Sequence, residues 1–240
     1  QHNLHALQVI EALKQHKHVF VEKPLAINTD ELLEIKSVYE SIKGEKPKLM
    51  VGFNRRFAPH VIKMKSLLSA QDGPKIFVMT INAGEIPVEH WTQDALLGGG
   101  RIIGEGCHFI DLLRFLVGSK IESFSATRVG DYPGLKVRSD KVSITLTFED
   151  GSFGTIHYLS NGGKAFPKER LEVFCNDAVL QLDNFKKLKG FGWKGFNKMN
   201  LFSQNKGQYN CVKSFVDTIK NGEKSPISFD EVFEVAQIAI

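Results

Sequence analysis

The sequence predicts an α/β segment followed by an α+β domain, and three observations carry that expectation. Helix and strand patterns alternate through residues 1–54, as they do where parallel strands are joined by helical crossovers. After residue 120 strand-like runs dominate, which points to one mainly antiparallel open sheet with helices on one face. Of 240 residues, 42% are apolar, enough for well-filled cores. The division expected is therefore 1–54 and 55–240.

The elements follow in order. In "HNLHALQVIEALKQ" the residues Ala6, Val9, Ile10 and Leu13 recur on one helical face. An apolar strand over "VFV" ends at Glu22, Lys23 and Pro24, and the proline takes the chain out of any sheet ladder. A second helix starts at Asn28 or Thr29, both good N-caps, and stops near Gly44. "KLMVG" is the second strand. Two strands do not make a stable doubly wound sheet, so their partners are expected upstream of residue 1.

Beyond Arg56 the pattern changes. "FAPHVIKMKSLLSA" reads as a helix, "KIFVMTINAG" as a strand, and residues 90–118 as a long helical region interrupted by glycines. Strand-like runs follow at "IESFSATRV", at 141–160, at "ERLEVFCNDAVLQL" and at "FKKLKGFG". The run over 141–160 is a hairpin signal, with Val142, Ile144, Leu146 and Phe148 alternating before an Asp150-Gly151 turn and Phe153, Ile156 and Tyr158 after it. "QYNCVKSFVDTIKNGE" and "SFDEVFEVAQIAI" are helices.

The formal charge is +4, and the one basic and aromatic cluster, "NFKKLKGFGWKGFNKMN", is read as a solvated face rather than a nucleic-acid patch. Cys107, Cys175 and Cys211 lie far apart without metal spacing, so no metal site is expected and a reducing compartment, the cytoplasm, is. No stretch is long and apolar enough to span a bilayer, and nothing at residue 1 resembles a signal peptide.

Two groups of residues suggest chemistry. "VFVEKPLAIN" delivers Lys23 to a strand end, where open α/β sheets keep their ligand crevices. There it can donate a hydrogen bond or relay a proton with Glu22 beside it, or it can be half of a surface ion pair. Glu105, His108 and Asp111 fall at three-residue spacing, so that on a regular helix a carboxylate could orient the imidazole. A histidine satisfied in a helix-packing seam is the alternative.

"LHALQVIEALKQHKHVFVEKPLA", "LMVGFNRRFAP" and "GGGRIIGEGCHFIDLLRFLVG" together resemble the Gfo/Idh/MocA family, the dehydrogenases similar to glucose-fructose oxidoreductase and myo-inositol dehydrogenase. The resemblance covers nearly the whole chain. It implies a Rossmann remnant over 1–54, an α+β substrate and dimerisation domain over 55–240, and a glycine-rich phosphate loop ahead of residue 1. The cluster Gly98–Gly106 stands far from any first βα turn and is not that loop. The implied activity is hydride transfer between NAD or NADP and a hydroxyl of a sugar, nucleotide sugar or cyclitol, with the isolated chain expected to be inactive and not to bind NAD(H) measurably. The alternatives are a non-catalytic binding or dimerisation module and an NAD-assisted glycoside hydrolase. A homo-oligomer through the C-terminal sheet is expected.

On this resemblance Lys23, His108 and Glu105 are the catalytic candidates. Asn3, His5, Glu22, Lys23, Pro24 and Trp91 are expected to border the cofactor, and Asn54, Arg55, Arg56 and Asp111 to hold substrate. Inositol-type members usually carry Asp four residues before the motif histidine. Here that position is Gly104. Either Glu105 supplies the carboxylate, or the substrate chemistry differs, or catalysis has been lost.

Overall fold

The structure, a computed structural model, describes residues 1–240 as two compact units. The first holds Gln1–Asn54, Glu89–Ile110 and Gln208–Ile240, and the second holds Arg55–Val88 and Asp111–Gly207. A single cut after residue 54 therefore describes only the first crossing, because the chain returns to the first unit twice.

In the first unit a 3-10 turn (His2–Leu4) leads into α1 (His5–Lys14), which buries Ala6, Val9, Ile10 and Leu13 as their spacing requires. β1 (Val19–Val21) pairs in parallel with β2 (Leu49–Val51), with Val19 opposite Leu49 and Val21 opposite Val51. Between them runs α2 (Thr29–Ser41), whose N-cap is Asn28. Its Oδ1 accepts from Glu31 N at 2.9 Å, and Glu31 Oε2 accepts from Ile27 N at 3.0 Å, satisfying two backbone donors at the helix start. Two helices from far along the chain, α5 (Gln208–Asn221) and α6 (Phe229–Ala239), complete this unit. Phe215 of α5 meets Phe20 of β1 with ring centroids 5.7 Å apart. Phe229 of α6 stacks on Tyr39 of α2 at 3.9 Å, and Ser228 with Glu231 forms a capping box at the start of α6.

The second unit is built on an eight-stranded sheet. Its strands are β3 (Ile76–Asn82), β4 (Ile121–Arg128), β5 (Lys141–Phe148), β6 (Phe153–Leu159), β7 (Glu169–Cys175), β8 (Ala178–Asp183), β9 (Lys187–Phe191) and β10 (Lys198–Asn200). They lie in the order β10-β9-β8-β7-β3-β6-β5-β4. All neighbours are antiparallel except β3 and β6, which run parallel. The expected turn at Asp150-Gly151 joins β5 to β6, with Gly151 at φ +82°. Asn176 and Asp177 join β7 to β8, both with positive φ as a two-residue primed turn demands.

One face of this sheet is buried. Phe77, Met79 and Ile81 of β3, Ile144 and Leu146 of β5 and Leu171 and Val173 of β7 all point into the core. The helices of the unit are α3 (Pro59–Leu68) and the part of α4 (Cys107–Val117) that follows Ile110. Leu113 of α4 reaches the sheet at Gly154, where a Cβ would stand 2.6 Å from Leu113 Cδ2. Glycine is required there because helix and strand approach too closely for any side chain.

The region expected to be one interrupted helix, 90–118, is three different things. Trp91–Gln93 is a 3-10 turn, Ile102–Gly106 is a turn of π-helix, and α4 begins only at Cys107. Gly99 and Gly100 take φ +74° and +85° ahead of the π-turn, which explains why the helical pattern breaks there.

Candidate active site

In the first unit β1 ends at the Glu22-Lys23-Pro24 turn, and the Lys23–Pro24 peptide is cis. Half-buried Lys23 donates from Nζ to the Gly104 carbonyl at 2.6 Å. The strand end is thereby tied to the π-turn, two segments that are distant in sequence. Glu22 points elsewhere. Its carboxylate is exposed and lies over Gly52, where a Cβ would be 3.0 Å from Oε2.

Two histidines, His2 in the 3-10 turn and His5 at the start of α1, hold backbone carbonyls of the same region. His5 Nδ1 is 2.7 Å from Pro24 O, so α1 grips the turn that carries Lys23. His2, only 8% exposed, places Nδ1 2.8 Å from Gly98 O. A carbonyl only accepts, so in both rings Nδ1 carries the proton. Trp91 packs edge-on against the His2 ring, centroids 4.7 Å apart. Burial lowers the His2 pKa below the ordinary histidine value, the Gly98 bond opposes that, and the Lys23 charge lowers it again. Asn3 donates its backbone N–H to Leu97 O at 3.2 Å, while its buried side-chain Oδ1 has no partner. A buried acceptor left unmatched is costly and marks a place for a donor from outside the chain.

Of the residues expected at the cofactor, His5, Lys23, Pro24 and Trp91 are brought together, and Asn3 lies beside His2. His2 itself was not foreseen. The signal lies in Gly104, where a Cβ would sit 2.9 Å from His2 Cε1. The space that a side chain at position 104 would take is thus filled by the imidazole of His2.

His108 and Asp111 lie in α4, and Glu105 stands in the π-turn ahead of it. Glu105 Oε2 lies 3.3 Å from Arg101 Nη2. His108 is buried with its ring edge-on to Phe53, centroids 6.1 Å apart. Asn54, buried, closes the first stretch of that unit with its N–H on Gly52 O at 2.8 Å.

The arginines expected at substrate occupy buried ion pairs of the second unit. Arg55 donates from Nε to Glu169 Oε2 at 2.9 Å and from Nη2 to Oε1 at 3.0 Å, a bidentate pair that Lys206 joins at 2.5 Å. Burial alone would raise the Glu169 pKa, but the two cations overcome it and hold the carboxyl below the ordinary range. Arg56 makes a bidentate pair with Asp111, with Nε–Oδ2 at 3.0 Å, and stacks its guanidinium over Phe115. The same unit has a cavity of about 660 Å³ walled by Asn82, Phe166, Lys164, Lys168, Lys186 and Lys187, with Glu85 and Asp183 as its acids.

Residues 1–53 match the oxidoreductase family with an NAD-binding Rossmann fold, and residues 63–181 match the GFO/IDH/MocA C-terminal domain. The chain belongs to the Gfo/Idh/MocA family. It is 26% identical over 239 residues to myo-inositol 2-dehydrogenase of Thermotoga maritima, covering 95% of this chain and 70% of that protein. An uncharacterized oxidoreductase of Bacillus subtilis is 28% identical over 193 residues, 75% of this chain and 52% of its own length, so the chain spans about half of that relative. Among solved structures, levoglucosan dehydrogenase in complex with NADH and levoglucosan superposes with a TM-score of 0.81 at 20% identity, over 99% of this chain and 74% of that one. At that identity the likeness establishes the Gfo/Idh/MocA fold.

Proposed function

We propose that the protein is an NAD(P)-dependent dehydrogenase that moves a hydride between nicotinamide and a hydroxyl carbon of a sugar, nucleotide sugar or cyclitol. The observation that carries this is the bond from Lys23 Nζ to Gly104 O, which sets an ammonium group at a strand end among glycine backbone. The relatives' names, inositol and levoglucosan dehydrogenases, fit the substrate class.

The residues present fit the cofactor. Asn3 Oδ1 is a buried acceptor of the kind a nicotinamide carboxamide N–H would satisfy, and Trp91 offers an apolar wall beside it. A bound nicotinamide supplies the hydride acceptor or donor. Lys23 keeps donors beyond the one on Gly104 and polarises the substrate oxygen, steadying negative charge as it develops. His5 fixes the Pro24 backbone and so the aim of Lys23. His108 is the second acid/base group, and Glu105, steadied by Arg101, is a positioning residue.

Self-association through the open face of the sheet follows from its surface. Phe153, Ile76, Phe174, Val179 and Phe191 stand opposite one another on five neighbouring strands, β6, β3, β7, β8 and β9. Phe153, Ile76, Phe174 and Phe191 are exposed. A row of four strand spacings, about 19 Å of apolar surface, suits a second copy of the same face. The three buried thiols suit a cytoplasmic location.

The test, made on the full-length protein, is reduction of NAD or NADP over a panel of cyclitols, sugars and sugar acids, followed by nicotinamide absorbance. Turnover of at least one member is expected. Binding of NADH without turnover of any would replace the dehydrogenase reading with a binding module.

A further inference from the structure

His2 is a buried titratable group that the scheme above leaves unused. Its Nδ1–H is committed to Gly98 O, which fixes the tautomer and leaves the lone pair of the neutral ring on Nε2. Nε2 has no hydrogen-bond partner in the protein, and it is not sealed from the surface as the Asn3 oxygen is. Trp91 holds the ring edge-on, so its orientation is set on one side by an aromatic contact and on the other by a backbone carbonyl.

The ring also stands where position 104 would put a side chain. A Cβ there would come within 2.9 Å of Cε1 and 3.4 Å of Nδ1. The backbone of that same residue receives Lys23 Nζ at 2.6 Å, and the Lys23 charge is felt at the imidazole. A hydrogen-bond donor and a proton acceptor are therefore gathered around one glycine.

We propose that His2 is a further catalytic residue, whose Nε2 takes the proton of the substrate hydroxyl in the space that Gly104 leaves open. The proposal rests on the dehydrogenase reading and assigns the base within it. In the oxidation the O–H bond breaks and its proton goes to Nε2. The carbinol C–H bond breaks and its electron pair leaves as hydride to oxidised nicotinamide. The carbonyl forms between the two. The imidazolium so produced keeps its Nδ1–H on Gly98 O, and the neighbouring ammonium of Lys23 drives the proton onward to solvent.

Three variants of the protein test this, with turnover and thermal unfolding measured for each. In His2→Asn the side-chain amide can still donate to Gly98 O, but the ring nitrogen is gone. Folding near that of the parent with kcat lower by about 10²-fold or more is expected, the range for loss of a general base. Full turnover in His2→Asn would overturn the proposal and leave His2 as a structural peg. Gly104→Asp alone should unfold at lower temperature, because the carboxylate meets the imidazole. The double variant His2→Ala/Gly104→Asp should recover that stability and at least 10-fold of the rate lost in His2→Ala, since a carboxylate can then occupy the vacated space. Recovery of neither would also overturn it. Absence of turnover in the parent on every substrate sinks the dehydrogenase reading and this assignment together. Turnover in the parent that survives loss of His2 sinks this one alone.

Discussion

Lys23 and its two histidine neighbours are held differently from the arginines of the second unit. In the first unit, Lys23, His2 and His5 are held by the carbonyls of Gly104, Gly98 and Pro24, neutral acceptors that fix position without cancelling charge or consuming the remaining donors and lone pairs. In the second, Arg55 and Lys206 converge on Glu169, and Arg56 is matched to Asp111. A guanidinium locked bidentate to a buried carboxylate has its geometry and its charge answered within the fold. Groups of the first kind remain available to a ligand, and groups of the second kind hold strands and helices in place.

If that contrast is right, Lys23→Ala should cost turnover and little stability. The expected loss is about 10²–10⁴-fold in kcat, with an unfolding midpoint close to the parent's. A large fall in stability with turnover retained would erase the distinction. Glu169→Gln should do the reverse, since it strands Arg55 and Lys206 without their counter-charge. Breaking such a buried cluster costs about 3–5 kcal/mol, read by urea unfolding. The pH dependence has a definite sign. Glu169 is held below its ordinary value, so its contribution is complete above about pH 4.5 and is lost as pH falls through the folded value. Unfolding followed from pH 7 downward should steepen in that acid range in the parent and less in Glu169→Gln. The smallest effect belongs to Asn28→Ala, which removes a cap from α2 and touches neither cluster. About 1 kcal/mol is expected, with no change in rate.

What the sequence made legible was local. The buried face of α1, the Asn28 cap, the Asp150-Gly151 hairpin and the breaking of the ladder at Pro24 each depend on residues within a turn or two of one another. The partnerships of Arg55 with Glu169 and of Gly104 with His2 depend on residues a hundred or so positions apart, and no periodicity reports them. The spacing at 105, 108 and 111 did not announce that Glu105 would stand in a π-turn rather than in the helix that follows. Spacing also fails without context at Gly190, Gly192 and Gly195, which carry the G-x-G-x-x-G pattern of a phosphate loop. They lie at the end of β9 and in the loop to β10, with no helix to follow. Gly190 is required because a Cβ would meet Phe196 at 2.7 Å.

The return of α5 and α6 to the first unit has a consequence for synthesis. A ribosome delivers β1, α2 and β2 long before Phe229 arrives to stack on Tyr39 or Phe215 to meet Phe20. Until then those apolar surfaces stand open on the nascent chain, while residues 55–88 and 111–207 are already all present. The second unit is therefore free to fold first. A chain released at Gly207 would contain the whole of it, yet leave the lysine-bearing strand without the two helices that finish its unit.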